Sequence, residues 1–386
     1  MAVSTCRLIT GAILISTIAV GPVAWAQDAE QNNQYESDEI TIPAATADEP
    51  KLEQVSLQAA ADYIEKGNAA WWNRRNCVAC HTSGAYVLSR PALTKQLGQP
   101  SAELRDFYVE ASDKLKEKDH EKRMSGIYPT QMAYIAGGLA EWDAHVTKKL
   151  SPDTDAALRL MFEMQGEDGS WGNTTCWPPF ESSAYQGTTV AAMAAATAPG
   201  WIDSLDPDND AGLLAKIEKM KDYLRSTNPP HNYGKLLLLW TSTRIPDLIG
   251  AEQKQDIINT IWELQREDGG WSIRAFAAPE AWGDGGRAEK LRAEPEFEDP
   301  PSDGHQTGLA ILVLRDAGVP ADNERIARGV NWLLKNQRQS GRWWTRSLNT
   351  DNYHFITYSG TCYSVLALAK CDALPANLNT AGIGAE

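Results

Sequence analysis

The feature that most constrains this chain is a seven-residue phrase that returns three times. Gln165–Trp171 reads QGEDGSW, Gln265–Trp271 reads QREDGGW and Gln337–Trp343 reads QRQSGRW. In each copy the glutamine closes an amphipathic helical run and a glycine stands two residues before the tryptophan. After a loop comes a second run rich in small and apolar residues. One such unit cannot bury its own apolar face, but stacked neighbours bury each other's, so the recurrence predicts an all-α repeat architecture of helix pairs.

The rest of the chain continues the alternation. Amphipathic outer runs are expected at Ser101 to Lys118, Asp155 to Gln165, Leu213 to Leu224, Ile257 to Gln265 and Ile326 to Leu334. Apolar inner runs are expected at Thr130 to Trp142, Gln186 to Ala198, Lys235 to Trp240, Thr307 to Arg315 and Gly360 to Ala369. With residues 56–97 as a degenerate first unit, whose helix covers Leu57 to Ile64, the count is about six helix pairs. Outer helices show water one face. Inner helices are apolar nearly all round, as expected where a second face lines a central cavity. Ala275 to Gly304, rich in proline, glycine and acids, reads as a long disordered insertion.

The ends are of a different kind. Arg7, the apolar run Leu8 to Val20 and the small-x-small site Ala24-Trp25-Ala26 make residues 1–26 a secretory signal peptide cleaved near Ala26. That run is too short for a comfortable membrane span, and Cys6 precedes it, so Cys6 is no lipid acceptor at the cleavage point. Residues 27–54 are acidic and without apolar periodicity, the composition of a disordered leader. The toroid is expected over 55–374 and a flexible tail over 375–386. The formal net charge is -15, from 36 Lys+Arg and 51 Asp+Glu, which argues against nucleic acid or an anionic lipid surface as partner.

An exported chain meets an oxidising compartment with five cysteines: Cys77, Cys80, Cys176, Cys362 and Cys371. Asn76-Cys77-Val78-Ala79-Cys80-His81-Thr82 carries the sharpest chemistry. C-x-x-C-H is the c-type haem attachment pattern, in which two thiols bond the porphyrin and the histidine becomes an axial iron ligand. Such attachment takes place outside the cytoplasm, where the signal peptide sends the chain. Cys77 and Cys80 as a short disulfide or redox dithiol, and zinc held by the pair with His81, are the other readings. Met124, Met132, His120 and His145 are candidates for a sixth iron ligand, and a five-coordinate iron is equally allowed. Cys362 and Cys371 flank one inner helix, too far apart to bridge within it, and Cys176 is placed to meet either.

The Gln–x–x–x–Gly–x–Trp turns, with HQTGLAILVLRDAG at His305 to Gly318 and RGVNWLLKNQRQSGRWW at Arg328 to Trp344, resemble the repeats of squalene–hopene cyclases. The resemblance covers residues 150 to 371 well and 56 to 150 weakly. It implies a single α/α toroid, the fold shared with protein prenyltransferase β subunits. It also implies that Gln165/Trp171, Gln265/Trp271 and Gln337/Trp343 are structural ties, each glutamine stacking on its tryptophan. The acid motif of the cyclases is missing, since Asp206-Pro207-Asp208-Asn209-Asp210 has the composition of a turn. Of the prenyltransferase zinc ligands, Asp303 matches the aspartate, His305 stands in place of the cysteine thiolate, and Gly360, beside Thr361-Cys362-Tyr363, stands where the histidine should be. Catalytic residues are therefore unassigned.

These observations point to an exported toroid carrying haem c on Cys77, Cys80 and His81. Its expected role is redox or electron transfer, with an apolar, isoprenoid-like ligand in the ring and a redox partner protein. The alternatives are a redox-independent terpenoid cyclase or isomerase, and a protein-binding scaffold with Cys77 and Cys80 bridged.

Overall fold

The computed structural model describes residues 34–37, 39–172, 179–180, 183–349 and 354–375. The chain divides into Met1–Asn32 and Asn33–Glu386, and all the described helices and strands belong to the second unit. The expected signal peptide, Cys6, Cys176 and the tail beyond residue 375 lie outside the described residues.

Among the described residues, six helix pairs are arranged in two layers. The outer layer is α1 (Leu57–Arg75), α2 (Ala102–Lys116), α4 (Pro152–Glu163), α6 (Ala211–Ser226), α8 (Ala251–Glu263) and α10 (Glu324–Asn336). The inner layer begins with a short piece, one π turn at Cys80–Gly84 running into Ala85–Val87. It continues as α3 (Tyr128–Trp142), α5 (Ala184–Thr197), α7 (Asn232–Ser242), α9 (Gly304–Asp316) and α11 (Phe355–Lys370). Inner helices touch in order from α3 to α11, and α11 touches the Cys80–Val87 piece, which returns to α3. The layers thus close into an α/α toroid. Among the described residues no helix is long and apolar enough to cross a membrane.

Local chemistry explains the element ends. Side-chain oxygens of Ser56, Ser101, Ser151, Ser183, Asp303 and Asn323 each accept an N–H of the helix they start. Burial follows the layers: α10 buries Ile326, Trp332 and Leu333 and exposes Arg325, Arg328 and Lys335, whereas α5 buries every residue from Tyr185 to Ala195.

The three tryptophan turns repeat one hydrogen-bond plan. Each indole N–H donates to the carbonyl ten residues back, Trp171 to Met161, Trp271 to Ile261 and Trp343 to Leu333, at 2.8–2.9 Å. Each tryptophan backbone N–H donates to a threonine hydroxyl of the inner helix, Thr188, Thr307 or Thr361. The glutamine amide donates twice, once within its turn and once to the next outer helix. Gln165 reaches Gly169 and Lys216, Gln265 reaches Gly269 and Arg325, and Gln337 reaches Gly341 and Ser56. The last bond joins residues 281 apart and closes the ring. Gly169 and Gly269, at φ +95° and +91°, lie flat against that next helix, where a Cβ would stand 2.6 Å from the Lys219 carbonyl and 2.8 Å from that of Arg328. The turns are structural ties, carried by hydrogen bonds of the glutamine amide.

Three expectations are corrected. α1 runs on to Arg75, well past Ile64, because its second half packs Trp72 on Phe107 of α2. The described part of the leader is ordered rather than loose. β1 (Glu36–Ser37) pairs with β2 (Ile40–Thr41), Tyr35 is wholly buried, and Glu49 forms an ion pair with Arg342 at 2.8 Å. The insertion after Trp271 is folded too: Phe276, Trp282 and Leu291 are buried, and Arg274 binds Glu294 and the carbonyls of Arg346 and Ser347. In both segments a few apolar anchors and buried ion pairs outweigh a composition that reads as disorder.

Candidate functional site

The Cys-x-x-Cys-His stretch follows directly on α1. Asn76 ends that helix in the left-handed conformation, φ 46° and ψ 42°, which turns the chain inward. The Trp71 indole N–H then holds the Cys77 carbonyl at 3.0 Å. The Ala79 N–H donates to the Ser83 hydroxyl and its carbonyl accepts from the Gly84 N–H, both at 2.7 Å, which winds residues 80–84 into the wide turn. Cys77 is a half-buried thiol, and no bond joins it to Cys80, which is buried. Burial pushes the Cys77 thiol up, opposed by the Trp71 N–H and by Arg75.

His81 is set in an aromatic wall. Its ring stands nearly perpendicular to Trp71 at 4.8 Å and to Phe355 at 4.5 Å between centroids. Burial pushes the imidazole down to about 3, so it is neutral. Nδ1 meets the Gln34 amide nitrogen at 3.2 Å and the Thr82 hydroxyl at 2.9 Å, and Thr82 in turn meets the Tyr35 hydroxyl at 2.7 Å. The residue types present are those that haem c attachment would use, two cysteines three residues apart with no bond between them and then an imidazole, whose Nδ1 here accepts from the Gln34 amide. Of the candidates for a sixth ligand, His145 instead meets Glu141 at 3.2 Å, and Met132 is buried within α3.

Gln34, Tyr35 and Phe355 were not legible as site residues. They come from the leader and from the last inner helix, and no motif marks either. His354, next to Phe355, stacks on Tyr35 at 4.4 Å, and its Nδ1 meets the Tyr63 hydroxyl at 2.8 Å. Burial, then Arg342, pushes it down to about 3.

The Asp303 and His305 pair is built differently. Asp303 caps α9, with Oδ1 accepting the Gln306 N–H and Oδ2 the Ile273 N–H. Burial still raises its carboxyl to about 6. His305 is wholly buried, Nδ1 at 2.8 Å from the Ser359 hydroxyl and Nε2 at 3.2 Å from the Tyr233 hydroxyl. Burial pushes it down to about 3. Asp206 receives the N–H groups of Asp208 and Asn209, so that acidic cluster forms a turn. Cys362 and Cys371 both carry free thiols, Cys362 pushed up to about 12 by burial.

The far mouth of the ring, where the inner helices end, is a concavity of about 160 Å³. Leu88, Trp240, Leu312 and Leu366 give it an apolar wall. Across it the buried Glu141 carboxylate takes the Arg244 guanidinium at 2.6 Å. Burial alone would raise the Glu141 carboxyl, but Arg244 and His145 more than offset it and hold it below the usual range.

Part of the chain is similar to known proteins. Residues 233–373, from α7 through α11, match the squalene-hopene cyclase C-terminal domain family. Among solved structures the chain is similar to a type II terpene cyclase from Scytonema in complex with geranylgeranyl dihydroxybenzoate. That likeness is at 13% identity over 75% of this chain and 87% of that one, with a TM-score of 0.41. Among curated proteins nothing matches this chain.

Proposed function

We propose that this protein is exported, carries one haem c bonded to Cys77 and Cys80 with His81 as axial iron ligand, and serves in electron transfer with an apolar ligand held in the ring. The observation that carries this reading is the Cys77–His81 stretch: α1 ends at Asn76 and Cys80–Gly84 winds as one turn, so Cys77, Cys80 and His81 follow in the order and spacing of the attachment pattern. Cys77 and Cys80 would hold the porphyrin through thioether bonds, formed by thiol addition without an oxidant. His81 would hold the iron through Nε2 with Nδ1 donating to the Thr82 hydroxyl, 2.9 Å away. Trp71 and Phe355 flank the imidazole edge-on and fix its plane. When bound, the haem supplies one-electron chemistry. The isoprenoid-like class of ligand is supported by the family match over residues 233–373 and by the apolar wall at the far mouth.

The test is expression of the full chain in a periplasm with and without the haem-attachment machinery. The expected result is a protein heavier by one haem, with a reduced-minus-oxidised α band that survives acid extraction. Cys77→Ala together with Cys80→Ala should abolish both. A wild-type chain that stays colourless and unmodified beside active machinery would overturn the reading.

A further inference from the structure

The far mouth is built from the last turns of the inner helices. Glu141 and Thr197 lie at the ends of α3 and α5, Trp240 in the last turn of α7 with Arg244 just beyond it, and Asp316 and Lys370 end α9 and α11. Helix C-termini carry partial negative charge, so these ends together oppose an anion. The carboxylates at the mouth are already matched. Arg244 donates from Nη1 to Glu141 Oε1 at 2.6 Å and to the Thr197 hydroxyl at 2.5 Å. The other Glu141 oxygen meets His145 at 3.2 Å. Asp316 accepts the Trp240 indole N–H at 2.9 Å on one oxygen and Lys370 on the other.

Two groups beside the same cavity are not matched. Among the described residues, the bonds of the Arg244 guanidinium all leave from Nη1, so Nε and Nη2 have no protein acceptor, while the group lies over the Trp240 ring at 5.5 Å. Gln96 Oε1 is buried and has no donor. Both side chains line the 160 Å³ concavity, with Leu88, Ala92, Leu312 and Leu366 as its apolar part. An apolar cavity of about 150 Å³ takes one benzene-sized molecule. A donor in want of an acceptor and an acceptor in want of a donor are both satisfied by a hydroxyl, whose oxygen accepts and whose hydrogen is donated. A hydrocarbon would leave both unmet. A carboxylate would serve Arg244 alone and would stand as a third anion beside Glu141 and Asp316. Burial would raise the Glu141 carboxyl, but Arg244 and His145 hold it below the usual range, so at neutral pH its charge opposes an acid.

We propose that the far mouth binds a ring-sized apolar alcohol, or the ring end of a longer one, with its hydroxyl set between Arg244 and Gln96, and that Glu141 excludes acids by neutralising Arg244. This site rests on the reading of an apolar ligand held in the ring and is independent of the haem. Glu141 then sets specificity without touching the ligand.

Calorimetric titration of the full chain with probes of one carbon skeleton tests the site: a monocyclic terpenoid alcohol, the corresponding carboxylic acid and the corresponding hydrocarbon. The alcohol should bind at least about tenfold more tightly than either of the others. Glu141→Gln keeps an acceptor for Arg244 but leaves its charge unmatched, so the acid should gain at least about tenfold while the alcohol changes by less than about threefold. Gln96→Leu, at a half-buried position, should weaken the alcohol about tenfold without weakening the hydrocarbon, and it locates the site even where Glu141→Gln does not fold. Acid or hydrocarbon bound as tightly as the alcohol by the wild-type chain, or a ranking that folded variants leave unchanged, overturns the assignment of the hydroxyl alone. A wild-type chain that binds none of the probes overturns it together with the apolar-ligand reading.

Discussion

The repeats that carry tryptophan turns and the first helix pair solve the same packing problem by different means. In the turns at Trp171, Trp271 and Trp343 one hydrogen-bond plan is used three times, with distances that agree to within a few tenths of an ångström. The first pair has no such turn. Its inner element is eight residues long, begins as a π turn, and is held by Tyr35 of the leader and by the last helix of the chain. Regularity serves the scaffold, because a repeated tie needs only its own neighbours. The irregular pair depends instead on contacts from distant parts of the chain, which surround His81 with Gln34, Trp71 and Phe355.

The largest effect expected from breaking this comparison is on the ties. Trp343→Ala removes a fully buried indole and its bond to Leu333, and should cost about 4 kcal/mol in urea unfolding. Trp72→Ala in the first pair, where the ring is only half-buried against Phe107, should cost about half as much. Equal losses would mean that the turns have no special weight.

Next in size is the response to acid. His305 and His354 are held at about 3, against 6.5 unfolded, so below pH 6.5 the unfolded chain binds more protons and stability falls as pH falls. Two such groups remove about 3 kcal/mol per pH unit. Asp303, raised to about 6 from 3.8, acts in the other sense: between those values the folded chain binds the extra proton, offsetting about 1.4 kcal/mol per unit. Denaturant titrations from pH 7 to 4 should show a net loss, steeper in Asp303→Asn. A flat profile would show that water reaches these histidines.

The smallest effect is expected where the chemistry is densest. Cys77→Ala should change stability of the haem-free chain by less than about 0.5 kcal/mol, since the thiol is half-buried and outside any helix. A loss above about 2 kcal/mol would make Cys77 part of the scaffold and blur the contrast between the two regions.

Sequence by itself determined the helix pairs, their layers and the ties. Period 3.6, capping residues and the Gln–x–x–x–Gly–x–Trp phrase are local signals, and each is read out within one or two turns of chain. It also marked Cys77, Cys80 and His81, because the c-type attachment pattern sets those residue types within five positions. The surroundings of His81 were decided only by the tertiary structure. Gln34 meets His81 across 47 residues, and the backbone of His354 across 320. Likewise Glu49 finds Arg342 at a separation of 293. An acidic, aperiodic leader carries no trace of such partners, since its order comes from the groove left where the ring closes and not from any preference of its own.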